Sequence, residues 1–345
     1  MPMTRTRVAD GRTAGRSSLS RRRFVGLLAA AIAGASARGV AAQDGGGWPS
    51  RSIRFIIPNT FGGSSDLLAR LIGARLGDAL GQPIVVESKP GAAGRIALDY
   101  TVKAAPDGYT LFLGNNGTNA IVQSAQGDNN ADDVALLEPV IMLASLAIVV
   151  AATPGLGVHT LPQMIERARR KPGSLAYASS GIGSTSHLAA ALLSRRAGIK
   201  MLQIPYAGTA SSVKDVLAGE VPLIFTHLAT IATLIQAGRL NALAVTSPSR
   251  SPAFPAIPTV AESGFPGFDV GTWHGVLVPP DTPREIIMRL HDELAHILAA
   301  ADVRAQLVSM GMQPLGGTPE EFAADIAADR KHWASVIRDA GLPTQ

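Results

Sequence analysis

Leu175-Ala176-Tyr177-Ala178-Ser179 runs into Ser180-Gly181-Ile182-Gly183-Ser184-Thr185-Ser186, and a helical pattern then continues to Arg195. The order is a short apolar strand, a Gly/Ser/Thr turn and a helix, which is the building step of an α/β sheet. The step recurs. Residues 53–58 lead into Asn59-Thr60-Phe61-Gly62-Gly63-Ser64-Ser65-Asp66, and residues 203–206 into Ala207-Gly208-Thr209-Ala210-Ser211-Ser212. A fourth turn, Gly114-Asn115-Asn116-Gly117-Thr118-Asn119, follows the apolar run that ends at Leu113.

Each turn offers backbone N–H groups and hydroxyls at the positive end of a helix dipole, an arrangement suited to an anion. None of the four contains Lys or Arg. In an open α/β sheet ligands sit at the carboxyl ends of the strands, where all four turns lie. The pattern therefore predicts a carboxylate held by dipoles and hydrogen bonds. The candidate contacts are Thr60, Phe61, Gly62, Ser64 and Ser65 from the first turn and Asn115, Gly117 and Thr118 from the turn after Leu113. Ser180, Gly183, Ser184 and Thr185 follow, with His187 in the first turn of the next helix, then Tyr206 and Gly208. Taken singly, each Ser, Thr or His has a plainer role as a helix cap. Four similar turns together favour a ligand.

At 345 residues, 46% hydrophobic, the chain can bury two sizeable cores. Its net charge of +5 suggests a polyanion partner, but the charge is misplaced for that. Residues 1–42 hold eight Arg and one Asp, +7 in all, and the other 303 residues carry 23 basic and 25 acidic side chains, a net −2. Nucleic acid is therefore not expected as a partner. The segment reads as an export signal: a basic start, an apolar stretch from Phe24 to Ala35, and Val40-Ala41-Ala42 before a cleavage point ahead of Gln43. Ser20-Arg21-Arg22-Arg23-Phe24-Val25 resembles the twin-arginine pattern. The apolar stretch is far shorter than the ~20 residues a membrane span needs. The mature chain is thus expected free in the periplasm. With no Cys, disulfides, thiolate metal sites and an acylated N-terminal Cys are excluded.

From residue 53 onward apolar runs alternate with helical periods. Strands are predicted at 53–57, 84–86, 110–113, 148–151, 175–177, 201–204, 223–226, 242–245 and 275–278, and the alternation points to parallel sheets. Helices are predicted at 65–80, 94–103, 161–170, 185–195, 209–218, 228–237, 283–300 and 319–340, two of them marked by Leu161-Pro162 and Thr318-Pro319. Residues 247–258, with four Pro, read as an extended surface loop.

Gly181-Ile182-Gly183 lacks the third Gly of a dinucleotide fingerprint, and His291 and His296, five apart, diverge on a helix and make a poor metal pair. There is no G-x-S-x-G elbow and no phosphate-loop Lys. No cofactor and no metal is expected.

Trp48-Pro49-Ser50-Arg51-Ser52-Ile53-Arg54, Leu80-Gly81-Gln82-Pro83, Lys89-Pro90-Gly91-Ala92-Ala93-Gly94 and Ala104-Ala105-Pro106-Asp107-Gly108-Tyr109 stand in order along the chain, followed by Pro205-Tyr206-Ala207-Gly208 and Pro258-Thr259-Val260-Ala261-Glu262. With the Gly62–Asp66 turn, this string resembles the tripartite tricarboxylate transporter substrate-binding proteins, the Bug family of periplasmic receptors, from about residue 48 to 342. The resemblance implies a type II periplasmic-binding-protein fold, α/β, with two doubly wound α/β domains joined by crossing strands near 144–152 and 270–275. Domain one would be 48–146 plus 270–345, and domain two 147–269. The two would close on a small carboxylate, held by N–H groups, hydroxyls and bridging waters, for delivery by a monomeric receptor to a membrane permease.

Three positions depart from the family pattern. Phe61 stands where a Pro or small residue is usual, which implies a bulkier pocket wall. Asn115, Asn116 and Asn119 make their turn rich in amides. Thr226 stands where many relatives carry Asp, and the loss of that charge weakens any case for an amino-acid ligand. Trp273, near the second crossing, is a candidate aromatic wall of the cleft.

Two other outputs compete with transport. One is an exported hydrolase using Ser184 or Ser64 with His187, for which no orienting carboxylate is marked. The other is a sensor that reports its ligand to a membrane kinase. The receptor is the preferred reading, with no enzymatic activity.

Overall fold

A long central strand organises the molecule. In the computed structural model, which describes residues 47–121, 137–206 and 208–340, this strand is β4 (Glu138–Ala152). All the structural statements below concern the unit Trp48–Gln345. The export signal of residues 1–42 lies outside the described residues, as does Ala207.

On one side of β4, β1 (Ile53–Ile57) pairs in parallel with β2 (Ile84–Ser88) and β3 (Thr110–Asn115). On the other, β5 (Ala176–Ser179) pairs in parallel with β6 (Leu202–Pro205) and β7 (Leu223–His227). These two parallel triplets are the predicted α/β units. The strands between them are antiparallel, which the sequence reading of parallel sheets did not anticipate. β9 (Gly271–Val278) runs against β3 and against the first half of β4. The second half of β4 runs against β7 and β8 (Asn241–Val245). The whole forms one mixed sheet in the order β2-β1-β3-β9-β4-β7-β5-β6.

β4 thus pairs directly with β7 of the second triplet and reaches β3 of the first through β9, and it is almost entirely buried, as a continuous apolar run with both faces covered should be. Only its second half was expected as a strand. Met142, Leu143, Ala144, Leu146 and Ala147 in the first half are good helix formers, and burial overrides that preference. A further strand, β10 (Met312–Gly316), pairs with β4 alone. This strand was not expected; its Pro314 is tolerated because on an edge a missing N–H costs no ladder bond.

Helices follow the predicted order: α1 (Ser64–Leu80), α2 (Arg95–Val102), α3 (Leu161–Arg170), α4 (Thr185–Ala197), α5 (Thr209–Ala218), α6 (Leu228–Gln236) and α7 (Arg284–Ala299). α8 (Ala301–Ser309), which was not expected, precedes α9 (Pro319–Ala340). α9 is a strap. Phe322 and Ile326 pack with Trp273, Met142 and Phe112 beside the first triplet, whereas Trp333, Val336 and Ile337 join the core of Tyr177, Leu188 and Phe225 beside the second.

Candidate functional site

The turns that leave β1, β3, β5 and β6, together with the end of β7, converge on a cleft of about 420 Å³. Its described lining contains no Lys, Arg, Asp or Glu. Oxygen and nitrogen come from Asn59, Thr60, Asn115, Thr118, Ser180, Ser184, Thr185, Ser186, Tyr206, His227 and Thr272, and the rest is Gly, Ala, Pro and Ile182.

On the β5 side, Ser184 caps α4, its Oγ accepting the His187 N–H at 3.3 Å and donating to Gly181 O at 2.7 Å. His187 itself lies behind this turn. Its Nδ1 accepts the Gly183 N–H at 3.2 Å, and burial lowers its pKa, so it acts as a neutral cap and is not part of the lining. The unsatisfied first-turn amides of α4 leave partial positive charge at the cleft wall.

Opposite, Asn115 and Thr118 lock the turn after β3 through Thr118 N–H to Asn115 Oδ1 at 3.1 Å and Asn115 N–H to Thr118 Oγ1 at 3.2 Å. Gly117 starts a single π-turn there. Asn116, buried behind the lining, joins three segments: its Oδ1 accepts from Thr185 Oγ1 at 3.2 Å and from Thr272 Oγ1, while Nδ2 donates to Gly271 O at 2.8 Å. Gly94, at φ +94°, lets the 90–94 turn lie against Thr118, where a Cβ would collide with its methyl group.

The first turn differs from expectation. Asp66, 6% exposed, accepts the Gly62 N–H at 2.9 Å and Arg70 Nε at 2.7 Å. The chain's own carboxylate therefore sits in the first turn of α1, bonded to an amide just ahead of the helix and to Arg70. Ser64 and Ser65 turn inward: Ser64 Oγ lies 2.7 Å from His227 Nδ1, and Ser65 Oγ donates to Asn59 Oδ1 at 3.0 Å and lies 2.9 Å from His274 Nε2. Thr60 alone of the five candidates in that turn lines the cleft. Phe61 is 48% exposed, with the Arg70 guanidinium 5.3 Å from its ring, so it does not thicken the pocket wall.

Gly208 packs on Thr60, where a Cβ would collide with Oγ1. Tyr206 lines the cleft while its hydroxyl donates to Asp215 at 2.8 Å; burial and that carboxylate push its pKa up to about 12. Thr226 is buried within β7, and the neighbouring His227 faces the cleft in its place. Trp273 lines a different, larger cavity of about 560 Å³, its Nε1 donating to Asp329 at 2.8 Å and its ring edge-on to Phe322 at 5.1 Å. Alternation along β9 sends Thr272 and not Trp273 to the ligand side.

His227, Asn59, Thr272 and the 90–94 turn line the cleft without being among the contacts the sequence points to, whereas Asn116 lies in the amide-rich turn that it does point to. His227 carried no signal beyond its place after a strand. Burial holds it neutral, with a pKa near 4, and burial with the neighbouring His227 ring, 5.8 Å away, takes His274 to about 3. Ser64 pairs with His227 and not His187, and among the described residues no carboxylate meets the other nitrogen of that ring. Among the described residues no three metal-ligating side chains come together, and no helix is long and apolar enough to cross a membrane.

Residues 68–342 match the model of the tripartite tricarboxylate transporter family receptor. A UPF0065 protein from the tcbD-tcbE intergenic region of Pseudomonas sp. strain P51 is 35% identical over 93% of this chain and 95% of its own. BugT of Bordetella pertussis is 35% identical over 85% and 90%. Among solved structures, Rpa4515 of R. palustris with adipate superposes at a TM-score of 0.83, with 34% identity over 86% of this chain and 99% of the other. The periplasmic binding protein BugD gives 0.81, with 29% identity over 86% and 100%. MatC of Rhodopseudomonas palustris with bound malate gives 0.78, with 28% identity over 84% and 100%.

Proposed function

Since the chain belongs to the tripartite tricarboxylate transporter receptor family, we propose that it captures a small organic carboxylate in this cleft and delivers it to a membrane permease. The observation that carries the reading is a cleft at the strand ends, rich in amides and hydroxyls and free of charged side chains among its described lining. Such a wall stabilises a carboxylate by aligned N–H dipoles and gives an ammonium nothing to pair with. Relatives solved with adipate and with malate support the ligand class.

Thr60, Asn115, Gly117, Thr118, Ser180, Gly183, Ser184, Thr185 and Tyr206 form the contact set proposed from the sequence that lines the cleft, and Asn59, His227 and Thr272 join it. Closure is a hinge motion of 147–269 against 48–146 plus 270–345, with β4 as the shared strand. α9 bridges both parts. The export signal of residues 1–42 delivers the protein to the periplasm, where it works as a monomeric binding protein without catalysis.

Thermal shift against a panel of C3–C8 mono- and dicarboxylates, followed by calorimetry, tests this. A raised melting temperature with unaltered ligand and a Kd in the micromolar range, roughly −8 kcal/mol, is expected. No response to any acid, or turnover of the ligand, would overturn it.

A further inference from the structure

The cleft changes chemistry between its buried and its exposed lining. The buried polar members, Thr118, Thr185, Ser186 and Thr272, carry hydroxyls, and the first-turn amides of α4 lie among them. The exposed members are Pro90, Gly91, Ala92 and Ala93 from one turn, Ile182 from another, and Asn59. Asn59 is the one polar side chain of that group, and its Oδ1 is already engaged by Ser65 Oγ at 3.0 Å. The mouth of the cleft is mostly hydrocarbon.

Ile182 is the extreme case. At 70% it is the most exposed large apolar side chain among the described residues. Gly181 at φ +111° and Gly183 at φ +78° flank it, so glycine backbone on both sides lets the turn project this side chain into solvent. The 90–94 turn carries its own strain. Ala92 and Ala93 hold φ +46° and +52°, left-handed conformations that glycine adopts freely and alanine only at a cost. Their methyl groups are thus kept at the mouth against the backbone's preference, and strain of this kind gathers at ligand sites.

A polar tail on the ligand leaves this apolar surface in contact with water or with polar groups. A hydrocarbon tail takes both surfaces out of water together. We propose that Ile182 and the turn Pro90–Ala93 form an apolar lip that receives the hydrocarbon part of the ligand, so that the cleft selects carboxylates bearing an alkyl chain or ring over short or hydroxylated acids. The buried hydroxyls and amides hold the carboxylate, and Ile182 sets the specificity. The inference rests on the carboxylate-receptor reading above and names the class of acid.

The test is calorimetry on the purified protein with propionate, butyrate, hexanoate and 6-hydroxyhexanoate, and with succinate and malate as polar acids. A methylene taken fully out of water tightens Kd by about fourfold, and one covered on one side by about twofold. Hexanoate should therefore bind at least about eightfold more tightly than propionate and at least about threefold more tightly than 6-hydroxyhexanoate. Ile182→Ser should cut the hexanoate-to-propionate ratio at least about twofold. Ala92→Gly with Ala93→Gly should cut it too without lowering the melting temperature, because glycine relieves the left-handed backbone. Affinities that do not rise with chain length, a preference for 6-hydroxyhexanoate, binding of succinate or malate alone, or an unchanged ratio in Ile182→Ser would overturn the proposal and spare the receptor reading. A wild type that binds none of these acids overturns both. Should Ile182→Ser not fold, methyl spectra of the wild type decide. Proton contacts between the hexanoate chain and Ile182 Cδ1 support the proposal, and contacts of that chain to other cleft residues without Ile182 overturn it.

Discussion

Asn116 Oδ1 accepts from Thr185 Oγ1 at 3.2 Å, a hydrogen bond that joins the turn after β3 to the first residue of α4. The same oxygen accepts from Thr272 at the start of β9, and the amide nitrogen donates to Gly271 O. One side chain, 1% exposed, thus ties three elements together behind Thr185 and Thr272 of the cleft lining. A ligand there meets a wall whose donors are already oriented, so less ordering is left for the binding step.

Asn116→Asp should therefore harm binding more than folding. The carboxylate still accepts from both Thr hydroxyls but faces Gly271 O and puts a negative charge beside the anion. A loss of carboxylate affinity of at least about tenfold is expected by calorimetry. Asn116→Leu leaves several groups unpaired and should lower the unfolding free energy in urea by about 1–3 kcal/mol or more.

Gly208→Ala sets a methyl group against Oγ1 of Thr60, a residue that lines the cleft. Both residues lie on turns, so the fold can yield by holding the two walls apart. The expected result is a weaker Kd with a nearly unchanged melting temperature, and recovery of affinity in Gly208→Ala with Thr60→Ala. Ligand-induced compaction in small-angle scattering should diminish in the single variant and return in the double.

The α/β units, most helices and the end of the sheet that holds the cleft were legible because apolar runs, Gly/Ser/Thr turns and helix starts are local signals. What escaped was set by long-range contacts. The first half of β4 reads as helix by composition and becomes strand by burial between β9 and β10. Ser64 and Ser65 belong to an anion-binding pattern, yet their hydroxyls bond His227 and His274 far along the chain, and Asp66 puts a carboxylate in the same helical turn. Ser64 and His227 stand 163 positions apart, a pairing no local pattern encodes.

Trp333 measures the strap. It is 1% exposed in the core beside the second triplet, although α9 starts against Trp273 beside the first. Trp333→Ala should cost about 3–5 kcal/mol in urea unfolding. Trp333→Phe, closer in volume, should recover most of it.

Salt separates this cleft from one built on guanidinium groups. Its described lining holds no charged side chain, so short-range dipoles do the holding. Between about 50 and 500 mM KCl the Kd should change by less than about threefold. A steep slope would reveal a cation at the site.

Acid should weaken the fold through the histidine pair. His227 and His274 have folded-state pKa values near 4 and 3, both below the ordinary 6.5, because burial penalises the charged ring. The unfolded chain then takes up protons first as pH falls. Their share of the stability is full above about pH 6.5 and is lost progressively toward pH 4 for His227 and pH 3 for His274. At pH 5 each should account for about 2 kcal/mol of the loss in urea unfolding. His227→Gln removes one titrating group, so its stability should fall less steeply between pH 7 and 5 than that of the wild type. An unchanged slope would mean that the ring is already charged in the folded protein.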